Sequence, residues 1–175
     1  MTRSDIKAEL ERHHRHFLER LREIPDSEFT VEPAEHKWTP AQQLDHIRRS
    51  AGGFNVGLMM PKTLMRFFFG TCDRPSRSYE ELVSDYQKIL DEGGKATTKY
   101  LPASVKLNQR QPLCTELEKI TDNLSNRLMK LNEKDLDRYR LPHPLMGKIS
   151  LREMFYFTIY HVQHHERQLN AKSTS

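Results

Sequence analysis

The sequence predicts an all-α fold, a four-helix bundle with a short inserted helical excursion between the second and third bundle helices. Two observations predict this class: apolar residues recur at steps of three and four in four long segments, and alternating strand patterns are almost absent. The chain has 175 residues, the usual size of one domain. We therefore expect residues 1–175 to form a single helical-bundle domain, with residues 61–112 as the excursion.

The first two bundle helices have clear boundaries in the sequence. Apolar residues recur at helical spacing among charges over residues 3–23, and the first helix is expected to end before Pro25. Thr39 as N-cap, followed by proline and with Gln42 three residues after the cap, predicts the start of the second helix. Its apolar stripe continues to the region of Pro61.

The excursion and the remaining bundle helices follow from turn residues and caps. Proline and glycine mark the ends and joints of the excursion, and Ser78 is expected to cap a short helix within it. Apolar steps of four and three predict the third bundle helix over residues 113–131. The stretch LPHPLMGK is expected to form a loop. Ser150 and Glu153 then make a capping box for the last helix, which should reach about Ala171.

The last helix carries three of the chain's nine histidines within five positions. His161 and His165 are four residues apart, so both lie on one face of the helix and can converge on one metal ion. His164 is rotated by ~100° from His165 and is expected at the surface or beside the ligands. Because this spacing also arises by chance, a hydrogen-bonded or solvated histidine pair at the bundle rim is the alternative interpretation.

His46 on the second helix is the candidate for a third ligand. Gly53 and Gly57 share its face and would leave open space beside the imidazole, although they could instead allow close helix contact or end the helix. Three histidines from two helices would leave one coordination position for water or substrate, as catalytic zinc sites do. The sequence HVQHH lacks the HExxH pattern of zinc proteases, so that mechanism is not supported.

Two segments, KWTPAQQLDHI at 37–47 and HPLMGKISLREMFYFTIYHVQHHERQL at 143–169, together resemble the DinB/YfiT-like superfamily of four-helix bundles. Both motifs occur in the family's order and at a suitable separation. The resemblance implies that His46, His161 and His165 form a three-histidine metal site. It also implies that Trp38 is the aromatic residue at the helix start and Gln168 the polar residue one turn beyond the ligands.

The resemblance further implies a divalent ion, Zn²⁺ or Ni²⁺, whose open position binds water or a low-molecular-weight thiol. The leading hypothesis is a metal-dependent transferase or hydrolase that acts on a small molecule. Catalytic residues stay unassigned, because Asp45, His164 and Glu166 lie near the ligands in sequence and solvated charge explains all three equally well. The alternative hypothesis is a stress-related bundle protein that binds a metal or a ligand without catalysis.

Charge and hydropathy limit the other partners. The net charge of +4 is spread along the chain, and the basic runs at 11–20 and 46–50 adjoin or include acidic residues, so no nucleic-acid partner is expected. No stretch approaches the ~20 apolar residues of a membrane span, and the charged N-terminus lacks a signal-like apolar region. We expect a cytoplasmic protein and, from the resemblance, a homodimer. The aromatic cluster Phe67, Phe68 and Phe69 is expected to cover the core or that dimer interface.

Overall fold

Helices dominate the computed structural model, which describes residues 1–35, 37–95 and 97–170. In chain order they are α1 Arg3–Glu23, α2 Asp26–Phe29, α3 Pro40–Gly57, α4 Lys62–Phe69, α5 Tyr79–Asp91, α6 Arg110–Lys130, α7 Glu133–Arg138 and α8 Leu151–Asn170. An antiparallel hairpin of strands β1 Arg140–His143 and β2 Gly147–Ser150 lies between α7 and α8. Within the described ranges, no helix combines the length and apolar character needed to cross a bilayer.

The four long helices α1, α3, α6 and α8 pack side by side as the predicted four-helix bundle. Helix α1 packs along α8 and α6, and α3 packs along α6 and α8. Their apolar stripes meet in one core, where the rings of Phe54 and Phe155 lie edge to face with centroids 4.7 Å apart. Burying each large apolar side chain contributes roughly 1.5–3 kcal/mol, so the stripes that predicted the helices also hold them together.

The predicted helix starts are confirmed by hydrogen bonds at the caps. In each case the N-cap hydroxyl accepts the backbone N–H three residues later, and that residue's side chain accepts the N-cap N–H. The pairs are Thr39 with Gln42, Ser78 with Glu81, and Ser150 with Glu153. The second bundle helix ends at Gly57, before Pro61. The predicted end of the last helix at Ala171 lies outside the described residues.

The prediction of a loop at LPHPLMGK is wrong, because this stretch forms most of the β-hairpin. Leu141 pairs with Ile149 and both are buried, and Gly147 closes the turn with φ of +69°. Each strand has four residues, which is too short for the alternating pattern that identifies longer strands. The short helices α4 and α7 escaped prediction for the same reason.

The segment between α3 and α6 folds back against the last bundle helix. Helix α5 packs on α8, and the carboxylate of Glu153 accepts hydrogen bonds from the side chains of Arg74 and Arg77. Helix α6 begins at Arg110, so Pro112 lies in its first turn, where its missing N–H leaves no unmade helical bond. The predicted third bundle helix therefore begins three residues earlier than its apolar stripe.

Candidate metal centre

The structure brings the three predicted ligands together between α3 and α8. His46, His161 and His165 each offer one ring nitrogen, and these nitrogens lie within 4.8 Å of one another. The Nε2 atoms of His46 and His161 are 3.0 Å apart. Among the described residues, no other group of three such side chains converges in this way. The i, i+4 spacing on α8 and the antiparallel packing of α3 against it produce this arrangement.

A backbone carbonyl fixes the orientation of the His46 ring. Its Nδ1–H donates to the carbonyl oxygen of Tyr100 at 2.6 Å, so the proton of the neutral ring is on Nδ1. The lone pair of Nε2 then faces the other two imidazoles. This is the arrangement in which a histidine binds a metal through one nitrogen while the other nitrogen is held by an acceptor.

Asp45 supports His46 through this loop and not by direct contact. The Asp45 carboxylate accepts hydrogen bonds from Arg48, Arg49 and the backbone N–H of Ala103, the last at 3.0 Å. These hydrogen bonds outweigh burial and hold the pKa of Asp45 below its ordinary value. Because Ala103 is three residues from Tyr100, Asp45 anchors the segment whose carbonyl orients His46.

Burial favours the neutral form of the three imidazoles. Burial lowers the pKa of His46, and burial together with the neighbouring imidazoles lowers those of His161 and His165 well below the ordinary value. Trp38 stacks parallel to His165 at 5.9 Å between ring centroids and packs against His46 at 4.8 Å. Phe157 stacks on His161 at 4.8 Å. Neutral rings have lone pairs available for a cation.

The geometry of this group fits a divalent transition-metal ion. Two imidazoles bound to one tetrahedral ion at ~2.0–2.1 Å place their nitrogens ~3.4 Å apart, close to the spacing of His46 and His161. The Nδ1 atom of His165 is buried and has no hydrogen-bond partner among the described residues. An unpartnered buried nitrogen is costly, and a cation bound to Nδ1 itself would remove that cost.

The three histidines open onto a cavity of about 470 Å³. Residues of α3, α8, the hairpin and the inserted segment line it, together with Lys37 and Trp38 before α3. The inserted segment contributes Phe69, Tyr86, Leu90, Thr97 and Tyr100. His164 and Gln168 also line the cavity, and their side-chain nitrogens lie 2.8 Å apart. A metal bound at the three histidines would therefore face a space large enough for a small molecule.

The two helical glycines make room for side chains that line this cavity. A Cβ atom on Gly53 would lie 3.1 Å from the hydroxyl oxygen of Tyr100, and one on Gly57 would lie 2.9 Å from Cδ1 of Leu141. Helix α3 continues through Gly53, so this glycine does not end the helix. Tyr100 and Leu141 therefore occupy the space directly over the two glycines, which also line the cavity beside His46.

Tyr86, Tyr100 and His143 contribute to this site without a clear signal in the sequence. Tyr100 acts through its backbone, and Tyr86 comes from a helix whose packing the sequence did not reveal. His143 lies within the motif HPLMGK, for which the resemblance implied no role of the histidine. The N-terminal histidines do not join a described metal group. His13 contacts Glu9 and Arg12 on the outside of α1.

Comparisons with known proteins agree with this fold. A family model described as the DinB superfamily matches residues 9–169. The uncharacterized protein YuaE of Bacillus subtilis (strain 168) is 23% identical over 149 residues, which cover 85% of each chain. The crystal structure of TT2238, a four-helix bundle protein, is 18% identical and superimposes with a TM-score of 0.61 over 97% of this chain and 99% of that one. Because the family model spans nearly the whole chain, this protein belongs to the DinB superfamily.

Proposed function

We propose that this protein is a metal-dependent transferase or hydrolase that acts on a small molecule. The observation that carries the proposal is the group of three buried, neutral imidazoles at the wall of a cavity of about 470 Å³. A closed structural site would use four protein ligands, whereas three histidines leave one position open to the cavity. Zn²⁺ and Ni²⁺ are the ions we propose, because both accept imidazole ligands readily.

The chain contributes orientation and shielding to this chemistry. Tyr100 fixes the His46 ring, and Trp38 and Phe157 exclude water from the outer faces of His165 and His161. When bound, a divalent ion supplies a Lewis acid that lowers the pKa of a coordinated thiol or water. We propose a low-molecular-weight thiol as the co-substrate of the transferase, since the cavity has room for one beside a small electrophile.

Elemental analysis of tag-free protein tests the metal proposal. Wild type, His161→Ala and His164→Ala are purified without chelators. His164 is the matched control, because it lies on the same helix beside the ligands but outside the group of three. We expect about one equivalent of metal in wild type and in His164→Ala, and its loss in His161→Ala. Wild-type protein without metal, or equal metal content in all three proteins, would refute the proposal.

A non-catalytic metal- or ligand-binding protein is the second candidate. One observation favours it: the described residues that line the cavity include no aspartate or glutamate, so they offer no carboxylate as a general base. A screen of thiols and electrophiles with the metal-loaded protein separates the two candidates. Turnover that requires the metal and disappears in His161→Ala indicates an enzyme, whereas saturable binding without turnover indicates a binding protein.

A further inference from the structure

Tyr86 on α5 and His143 on β1 meet at the cavity wall provided by the hairpin and the inserted segment. Each side chain is about 93% buried, since the residues keep only 7% of their accessible surface. Their rings are perpendicular, with centroids 6.2 Å apart, and both line the cavity. Polar groups so deeply buried ordinarily have hydrogen-bond partners. Which of their polar atoms have a partner, and which do not, therefore indicates their role.

The hairpin turn fixes the proton of His143. The Nδ1 atom accepts hydrogen bonds from the backbone N–H groups of Leu145 and Met146, at 3.2 and 3.1 Å. A ring nitrogen that accepts two hydrogen bonds carries no proton, so the proton of this ring is on Nε2. Burial lowers the pKa of His143 to about 4, which keeps the ring neutral at physiological pH. The ring therefore presents Nε2–H, a neutral donor.

Both donors are without an acceptor inside the part of the chain that the structure describes. Neither Nε2 of His143 nor the hydroxyl of Tyr86 is among the fully buried unpartnered atoms, so both retain contact with the open space of the cavity. Burial raises the pKa of Tyr86 to about 12, so its hydroxyl remains protonated. The two groups are therefore available to hydrogen-bond a molecule that enters the cavity.

One aromatic ring separates this pair from the candidate metal centre. The ring of His143 lies 4.2 Å from that of Phe157, which in turn stacks on His161 at 4.8 Å. A small molecule with an apolar body can therefore contact the pair at one end while its other end faces the three histidines. The absence of carboxylates among the described lining residues disfavours a cationic molecule.

We propose that Tyr86 and His143 form a pair of neutral donors that binds a carbonyl oxygen of the substrate. The substrate class is a small molecule without a cationic group that combines an apolar body with a carbonyl group. Any reaction of the bound carbonyl rests on the proposed function. Binding of the carbonyl requires only the cavity and the two donors, so the two proposals can fail separately.

Two probes of equal ring size test this pair. Cyclohexanone offers a carbonyl oxygen, whereas cyclohexylamine offers a cation at neutral pH. Dissociation constants for wild type, Tyr86→Phe, His143→Asn and Tyr79→Phe are measured by ligand-observed NMR titration, with metal content determined on the same samples. Tyr79→Phe is the matched control, because its hydroxyl lies on the same helix and accepts from Gln163 outside the cavity. Asparagine at position 143 keeps an oxygen that can accept the backbone N–H groups of the turn. Its side chain is too short to donate a hydrogen bond where Nε2–H of histidine does.

We expect wild type to prefer cyclohexanone to cyclohexylamine. Tyr86→Phe and His143→Asn should each weaken cyclohexanone binding about fivefold, as the loss of one hydrogen bond does. Tyr79→Phe should bind like wild type, and all variants should retain the wild-type metal content. No saturable binding of cyclohexanone by wild type, unchanged affinity in Tyr86→Phe, or equal affinity for the amine would overturn the inference. Protein that lacks metal yet shows the expected pattern supports the donor pair and refutes only the metal-dependent function.

Discussion

His14 is a titratable residue inside the bundle, away from the cavity. It keeps 1% of its accessible surface, and its Nδ1–H donates to the carbonyl oxygen of Leu10 at 2.8 Å. The Nε2 atom is buried and has no hydrogen-bond partner among the described residues. Protonation of this atom would bury a charge without a partner, which is why the pKa of His14 is lowered to about 4.

We expect His14 to make the fold less stable in acid. Between its ordinary pKa of 6.5 and about 4, the unfolded chain binds a proton that the folded chain does not, so the free energy of unfolding falls as the pH falls through this range. One pKa unit corresponds to ~1.4 kcal/mol, so this residue alone should account for about 2.5 kcal/mol between pH 7 and pH 4.5. His14→Leu should remove that part of the pH dependence.

Urea unfolding of wild type and His14→Leu at the two pH values measures this difference. His16→Leu serves as control, because His16 lies on the same helix and is exposed. The control should keep the wild-type difference between the two pH values. If His14→Leu loses as much stability in acid as wild type does, the buried histidine is not a source of acid sensitivity.

At the scale of elements, Glu153 joins the cap of α8 to the inserted segment. Its carboxylate is 1% exposed and accepts hydrogen bonds from Ser150 N–H and from the side chains of Arg74 and Arg77. Although burial opposes ionisation, these hydrogen bonds lower the pKa of Glu153 to about 2. The resulting stabilisation is present above the ordinary pKa of 4.5 and is lost as the pH falls towards 2.

Glu153→Gln should therefore lower the free energy of unfolding at pH 6 by about 2 kcal/mol. The change stays below the full value of the pKa shift because Arg74 is half-exposed and water screens its charge. The destabilisation should be smaller at pH 3, where wild type has already lost part of the stabilisation that the ionised carboxylate provides. Denaturant unfolding at both pH values measures this loss of stability, with Glu80→Gln on the exposed surface of α5 as control. An equal loss at pH 6 and pH 3 would contradict the ionic origin.

Elements of the fold were predictable where several turns of helix repeat one pattern. The four bundle helices have long apolar stripes, and Thr39, Ser78 and Ser150 mark helix starts through caps that depend only on neighbouring residues. The hairpin and α7 were missed, because four to six residues cannot show a period and their stability comes from packing against the bundle.

The residues of the candidate site were likewise predictable from the sequence only in part. His161 and His165 were found because one helix fixes their relation, and His46 because its motif resembles a known family. The donor pair depends on how α5 and the hairpin pack against the bundle, a long-range arrangement that has no signal in local spacing. The proposed ligands were therefore predictable from the sequence, whereas the part of the cavity lining that α5 and the hairpin provide was not.

At the scale of the whole molecule, several large apolar side chains that are close in the sequence are exposed. Side chains near the end of α3 and on α4 keep 58–80% of their accessible surface. They are Val56, Met59, Phe67 and Phe68. We propose that two copies of the chain associate through these side chains, since exposed patches of large apolar side chains commonly mark interfaces.

The proposed homodimer can be tested by measuring the molar mass of variants with substitutions in these side chains. Wild type should have the mass of a dimer in light scattering, and the double variant Phe67→Asp, Phe68→Asp should have the mass of a monomer, because buried carboxylates oppose association. Val31→Asp is the control, as Val31 is 51% exposed on a different part of the chain. A monomeric wild type, or a dimer that survives the double substitution, would contradict the proposed interface.

The candidate metal centre also links α3 to α8, so metal binding should stabilise the whole bundle. A ligand that binds only the folded state adds ~2.7 kcal/mol when its free concentration is 100 times its dissociation constant. For a chain of this length each kcal/mol raises Tm by roughly 2–4 °C. We expect chelation to lower the wild-type Tm by about 5–10 °C and to leave the Tm of His161→Ala unchanged. The His164→Ala control should respond to chelation as wild type does, because its three ligands are intact. A wild-type Tm that is insensitive to chelator and to added Zn²⁺ would mean that the three histidines do not couple metal binding to folding.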